Sequence, residues 1–178
     1  MTLMVQEGQL IQKGALLAAG RVRTGDHVFV NKILYNVRRP RRGDIVVFNT
    51  EQVEHPQVLR NSFYIKRLVG LPGETIAIDP PNLVVDGNVV REPPIFNRLV
   101  ADPRYQGYQQ ARASVPMPVL ADGQQLKLGD DQFLLFGDNT MNSLDGRYFG
   151  AIDRNELVAP AFFVYWPLGP RWGLIRQR

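Results

Sequence analysis

The sequence predicts an all-β domain with a bent-sheet or barrel-like core and one loop-rich β insertion. Three observations point there. The apolar runs are short and closely spaced from residue 25 onward. Glycine (16) and proline (13) interrupt the 178 residues too often for long helices. An Asp86-Gly87 pair, flanked by Leu83-Val84-Val85 and Val89-Val90, reads as a tight hairpin turn with positive φ.

Residues 1–24 show no clear pattern, are weakly helical at best, and are read as a poorly defined N-terminal segment. Strands are expected near His27–Asn31, Asp44–Phe48, Ser62–Val69 and Thr75–Ile78, followed by the hairpin Leu83–Arg91. Residues 92–131 carry Pro93, Pro94, Pro103, Pro116 and Pro118 with a run of Tyr and Gln. They are read as an insertion with minor strands, dividing a core of residues 25–91 and 132–178. Strands resume near Gln132–Phe136 and Ala161–Trp166.

Composition bounds the chemistry. At 44% hydrophobic and 21% charged the chain is globular rather than disordered. It has no cysteine, which removes disulfides, thiol nucleophiles and thiolate metal sites. His27 and His55 are the only histidines, too few for a multi-histidine metal centre. No apolar run approaches the 18–20 residues of a membrane span, and Gly14–Gly20 is far too short, so this stretch is expected to be soluble. The net charge of +4 would suit an anionic partner but more often marks a solvated surface.

The most informative stretch is Ser62-Phe-Tyr-Ile-Lys-Arg-Leu-Val-Gly70, an apolar strand with two adjacent cations. Alternation puts Lys66 on one face with Tyr64 and Leu68, and Arg67 on the other with Phe63, Ile65 and Val69. Both faces are otherwise apolar, so at least one cation is expected to be partly desolvated. Burial penalises an ammonium and lowers the lysine pKa, freeing the amine to act as a base. Arginine stays protonated, so a base drawn from this pair is Lys66. The bland alternative is a lysine whose stem packs and whose head reaches water. A second stretch, Phe136–Gly150, crowds Asp138, Asn139, Asn142, Ser143, Asp145 and Arg147 between apolar runs. It is either an ordinary polar turn or a loop that orients a catalytic side chain, and its spacing does not suit calcium. A third, Arg38-Arg-Pro-Arg-Arg-Gly-Asp44, is a solvated turn or a phosphate contact. Only Tyr35 lies nearby, so nucleic acid is not an expected partner.

Three stretches together resemble the bacterial type I signal peptidases, membrane-anchored proteases with a serine–lysine dyad. They are Gly25-Asp-His-Val-Phe-Val-Asn-Lys32 with Pro40-Arg-Arg-Gly-Asp-Ile-Val-Val-Phe48, then Tyr64-Ile-Lys-Arg-Leu-Val-Gly-Leu-Pro-Gly-Glu74, then Gly137-Asp-Asn-Thr-Met-Asn-Ser-Leu-Asp-Gly-Arg147. The resemblance spans roughly residues 25–166 and leaves 92–131 without a motif. It implies that Lys66 is the general base, that Ser143 hydrogen-bonds to it, and that Asp145, Arg147 and Asp138 support the site. It also implies signal peptides of exported preproteins as substrates, bound in extended form along a β-edge, and chemistry that needs no metal or organic cofactor. The location implied is the outer, periplasmic face of the cytoplasmic membrane, reached through an anchor.

The chain departs from the family pattern at two places. Gly146 stands where serine is commonest, a change expected to be tolerated. The serine box, expected about eight residues before Gly25, has no counterpart: no serine precedes Ser62. This is read as a catalytic-domain fragment, inactive on its own because the nucleophile is absent. The alternative is a non-catalytic relative that binds peptide or protein. A self-cleaving repressor-type protease would need a helix-turn-helix region, and none is evident.

Overall fold

The computed structural model describes residues 26–175, together with the backbone of two short strands, β1 (Thr2–Leu3) and β2 (Ala18–Ala19), which pair antiparallel. The rest of the N-terminal segment read from the sequence lies outside the described residues.

The larger sheet is built from β3 (His27–Val30), β4 (Ile45–Asn49), β5 (Phe63–Gly70), β10 (Gln132–Phe136), β11 (Ile152–Asp153), β12 (Leu157–Trp166) and β13 (Gly173–Leu174). Its order is β11-β10-β5-β4-β12-β13, with β3 also on β12. The ten-residue β12 bends the sheet. Its first part pairs β4 through Leu157, Ala159 and Pro160, and its second pairs β3 and β13 from Ala161 onward. The sequence reading began this strand only after Pro160, because proline lacks a ladder donor. In the structure Pro160 sits where pairing passes from β4 to β3, and its carbonyl accepts from Asn31 N at 3.0 Å.

The smaller sheet runs β8-β7-β6-β9, from β6 (Thr75–Asp79), β7 (Asn82–Val85), β8 (Asn88–Val89) and β9 (Gln125–Lys127). The β7–β8 turn holds Asp86 at φ 48° and Gly87 at φ 78°, the left-handed pair that a two-residue hairpin needs. Asp86 also fastens the turn to β6, its Oδ1 accepting from Thr75 N at 2.9 Å.

Strands β5 and β10 form the wall between two apolar cores. Side chains alternate, so Val69, Leu134 and Phe136 enter one core, and Leu68, Phe133 and Leu135 the other. That double burial explains why these strands read as continuous apolar runs. The first core lies against the smaller sheet through Ile76, Leu83 and Leu128. The second includes Val46, Phe48 and Tyr35, the last from the one-turn helix α1 (Leu34–Val37).

Residues 92–131 contain β9 and a helix the sequence reading did not place, α2 (Ile95–Ala101). Pro94 occupies its N-cap, which suits a residue without an N–H, and Phe96 and Leu99 share the face that enters the first core. Seven residues are too few for a clear helical period, and the clustered prolines favoured a loop. The run Arg38–Arg42 is half brace and half solvated turn, with Arg39 and Arg41 exposed. Arg38 pairs with the buried Asp44 at 2.7 Å, and Arg42 pairs with Glu74.

In the first core, Tyr108 is 2% exposed and its hydroxyl has no hydrogen-bond partner among the described residues. Burial, reinforced by the Asp138 carboxylate, pushes its pKa well up, so the phenol stays neutral. An unsatisfied buried hydroxyl costs about 1–3 kcal/mol. Tyr108→Phe is therefore expected to leave stability unchanged or raise it within that range in denaturant unfolding. A loss of comparable size would show that the hydroxyl has a partner such as an internal water.

Candidate active site

The site is assembled from the middle of β5 and the loop that leaves β10. Within β5, Lys66 stands on the face of Tyr64 and Leu68, opposite the fully buried Val46 of β4. Its Nζ donates to Ser143 Oγ at 2.9 Å. Arg67 takes the other face and is far more buried, at 4% exposure. Its charge is matched there: Nε and Nη2 donate to Asp138 Oδ1 and Oδ2, each at 2.7 Å, and Nη1 donates to Gly43 O at 2.7 Å. The two neighbouring cations thus have different fates, one paired with a carboxylate and one set against a neutral hydroxyl.

The loop after β10 explains how Ser143 reaches Lys66. A 3₁₀ turn, Thr140–Asn142, carries the chain back, and Ser143 follows in extended conformation. Ser143 then lies directly over Gly137. A Cβ at residue 137 would stand 2.1 Å from Ser143 Oγ and 2.6 Å from Ser143 Cβ, so only glycine permits this approach. Asp145 comes next and caps the short helix α3 (Gly146–Phe149), accepting from Arg147 N at 3.2 Å. Its other oxygen accepts from Gly137 N at 2.9 Å. The Arg147 guanidinium closes on the same carboxylate, Nε to Oδ1 at 2.8 Å and Nη2 to Oδ2 at 3.0 Å. Asp145 is 0% exposed and Arg147 1% exposed, so this pair is fully desolvated. Gly146 also has no spare room, since a Cβ there would meet Leu134 Cδ1 at 2.7 Å and Leu135 O at 2.9 Å. In this packing a side chain at position 146 requires a shift, so the glycine is matched to its neighbours rather than merely tolerated.

Of the residues singled out from sequence, Lys66, Ser143, Asp145 and Arg147 lie together. Asp138 stands apart from that group as the partner of Arg67, and it anchors the start of the loop to β5. Thr140 and Gln109 were not read from the sequence. Thr140 is buried and its carbonyl accepts from Arg147 Nη2 at 2.8 Å, while the Gln109 carbonyl accepts from Nη1 at 2.9 Å. Backbone acceptors leave no side-chain signature, so Gln109 lies outside the motifs and Thr140, though inside the third, carried no mark of this role.

Burial lowers the Lys66 pKa below its ordinary 10.5. The Asp145 carboxylate opposes this, Arg147 reinforces it, and Asp138 opposes it more weakly. With the ammonium disfavoured, Nζ can take up a proton at a pH where an exposed lysine is already saturated. The surroundings suit an extended chain. From Phe63 to Lys66, β5 pairs only with β4, because β10 joins its other edge at Arg67. Among the described residues that free edge carries no strand. Beside it lies a mainly apolar cleft of about 380 Å³ whose lining includes Val28, Val47, Phe63 and Ile65, with Asp26 and Lys32 also contributing.

The lowered pKa has a consequence for stability. Between the folded value and 10.5 the unfolded chain binds a proton at Lys66 that the folded chain does not, so this group makes stability rise with pH across that window. Lys66→Met is expected to remove the rise and to stabilise the protein most on the acid side of the window. Denaturant unfolding of both proteins at a series of pH values checks it, and parallel curves would contradict the assignment.

Comparison with known proteins agrees with the three motifs. The family model described as signal peptidase, peptidase S26, matches residues 18–166. A Synechocystis sp. protein named probable signal peptidase I-2 is 34% identical over 154 residues, covering 86% of this chain and 61% of its own length. A signal peptidase I of Leptolyngbya laminosa is 30% identical over 165 residues, covering 92% of this chain and 70% of its own. The chain thus spans somewhat under two thirds of the first of these relatives. The crystal structure of a signal peptidase I from Enterococcus faecalis shares the fold, with a TM-score of 0.50 at 23% identity over 70% of this chain and 97% of that one. A mostly antiparallel β architecture, the Lys66–Ser143 contact at its edge and a family match over most of the length converge on one conclusion: the chain belongs to the signal peptidase family, peptidase S26.

Proposed function

We propose that this chain carries the catalytic core of a signal peptidase that cleaves signal peptides from exported preproteins, with Lys66 as general base. The observation that carries the reading is the desolvated Lys66 amine, hydrogen-bonded to Ser143 at 2.9 Å and set at the end of an unpaired strand edge. An extended peptide adds to such an edge through its main chain, with alternate side chains entering the apolar cleft. Small side chains just before the cut would let the peptide approach Lys66.

The chemistry follows serine–lysine logic. A serine hydroxyl attacks the scissile carbonyl while Lys66 Nζ takes its proton. The tetrahedral adduct collapses, the C–N bond breaks, and the new ammonium returns the proton to the leaving amine. Water then attacks the ester, again losing its proton to Lys66; the ester C–O bond breaks and the ammonium returns that proton to the serine oxygen, restoring both groups. Ser143 orients the amine, and Asp145 and Arg147 hold Ser143 in place. Asp138 supports the same loop from Arg67. The attacking serine is the piece this sequence does not supply, since none precedes Ser62. The 178 residues alone are therefore read as inactive, and the whole enzyme as acting at the outer face of the cytoplasmic membrane. Among the described residues no helix is long and apolar enough to cross a membrane.

The test is a preprotein cleavage assay on this chain and on one carrying the serine box of a relative in place of residues 15–20, each with and without Lys66→Ala. The unaltered chain should leave the preprotein intact. The grafted chain should cleave it, and Lys66→Ala should reduce that rate by about 10²–10⁴. Cleavage that survives Lys66→Ala would contradict the proposed base. No cleavage by a folded graft that still binds signal peptide would favour the non-catalytic reading.

A further inference from the structure

The segment 107–120, within the stretch read as an insertion, lies across the loop that carries Ser143, Asp145 and Arg147. It holds Arg147 from two directions. The Gln109 carbonyl accepts from Arg147 Nη1 at 2.9 Å, while Val119 N and Leu120 N both donate to the Arg147 carbonyl, at 2.8 and 3.1 Å. On one side of Arg147, the buried Thr140 hydroxyl donates to Gly107 O at 2.8 Å, and the Arg112 guanidinium donates to Met141 O. On the other, Arg112 N donates to the Tyr148 hydroxyl at 3.1 Å. The segment is itself closed by Ala111 N donating to Leu120 O at 2.8 Å. Its outer turn is tied to the loop before β5, where His55 Nδ1 accepts from Gln57 N at 3.2 Å and Nε2 faces Pro116 O at 3.0 Å.

Most of these contacts go to main chain, so their effect is positional. They fix where the Arg147 guanidinium can be, and that guanidinium in turn fixes Asp145. Freed from Arg147, the Asp145 carboxylate would act on the Lys66 ammonium with its full charge, and water would reach both.

We propose that segment 107–120 is a clasp that positions Arg147 and thereby keeps Lys66 a usable base. The proposal rests on the reading of Lys66 as the general base. The charged groups acting on Lys66 are Asp145, Arg147 and Asp138; among the described residues the clasp hydrogen-bonds to Arg147, while its neutral, buried Tyr108 lies within the field of Asp138 and Asp145. Loosening it therefore raises the proton affinity of Lys66, because Asp145 is less well neutralised and the desolvation that lowers the pKa is relieved.

The experiment is competitive acetylation of the 178-residue chain across a pH series, with the lysine-bearing peptides resolved by mass spectrometry. Besides Lys66 the only lysines are Lys13, Lys32 and Lys127, and the exposed Lys32 and Lys127 serve as internal references. In the parent chain Lys66 should titrate below the references. In Thr140→Val/Tyr148→Phe its midpoint should move up toward them by on the order of one pH unit, with the references unmoved. Arg112→Met, at an exposed position, should move it the same way by less, and it provides the test if the double variant does not fold. A merely structural role would lower the unfolding temperature and leave the midpoint in place, which would overturn the proposal. A parent Lys66 that titrates with the references would instead defeat the reading of Lys66 as a base.

Discussion

The buried ion pair between Asp145 and Arg147 is the constraint on which the site depends. Both residues are buried and heavily hydrogen-bonded: Asp145 by Gly137 N, Arg147 N and the guanidinium, Arg147 also by the carbonyls of Gln109, Thr140 and Ser143. Desolvating two charges is favourable only when all such partners are met. The pair is thus satisfied in one arrangement of the Gly137–Phe149 loop, and that arrangement puts Ser143 over Gly137 and beside Lys66. It has an electrostatic side as well. An unneutralised carboxylate near Lys66 would hold the ammonium. Paired with Arg147, Asp145 opposes the effect of burial without overcoming it.

The two cations of β5 show the same physics from opposite directions. Arg67 is buried with a bidentate carboxylate and keeps its charge, as a guanidinium must. Lys66 is less buried, yet its Nζ donates to a neutral hydroxyl, that of Ser143, so burial acts against its charge. One strand therefore carries a structural brace and a polarised amine on successive residues, and pleating alone keeps them apart.

Much of this was legible in the sequence. Alternation in Ser62–Gly70 assigned Lys66 and Arg67 to their faces, and Asp86-Gly87 marked its hairpin. Two elements escaped for physical reasons. Helix α2 is two turns long behind adjacent prolines, and the start of β12 is masked by Pro160, which the sheet accommodates at a change of partner strand. In the site, the side chains with titratable chemistry were visible, but that Asp138 acts through a bidentate pair with Arg67 was not. The acceptors that fix Arg147 are backbone carbonyls from distant segments. Sequence carries no trace of a carbonyl's direction, so Gln109 and Thr140 emerge only from the fold.

The proton affinity of Lys66 decides whether its amine can serve as a base. Heteronuclear NMR of the chain labelled at lysine Cε and Nζ, followed through an alkaline titration, reads it directly. The predicted result is a Lys66 inflection below those of Lys32 and Lys127. An inflection that coincides with theirs, or lies above, would mean that Asp145 still governs the amine and that Lys66 is an ordinary ammonium ion.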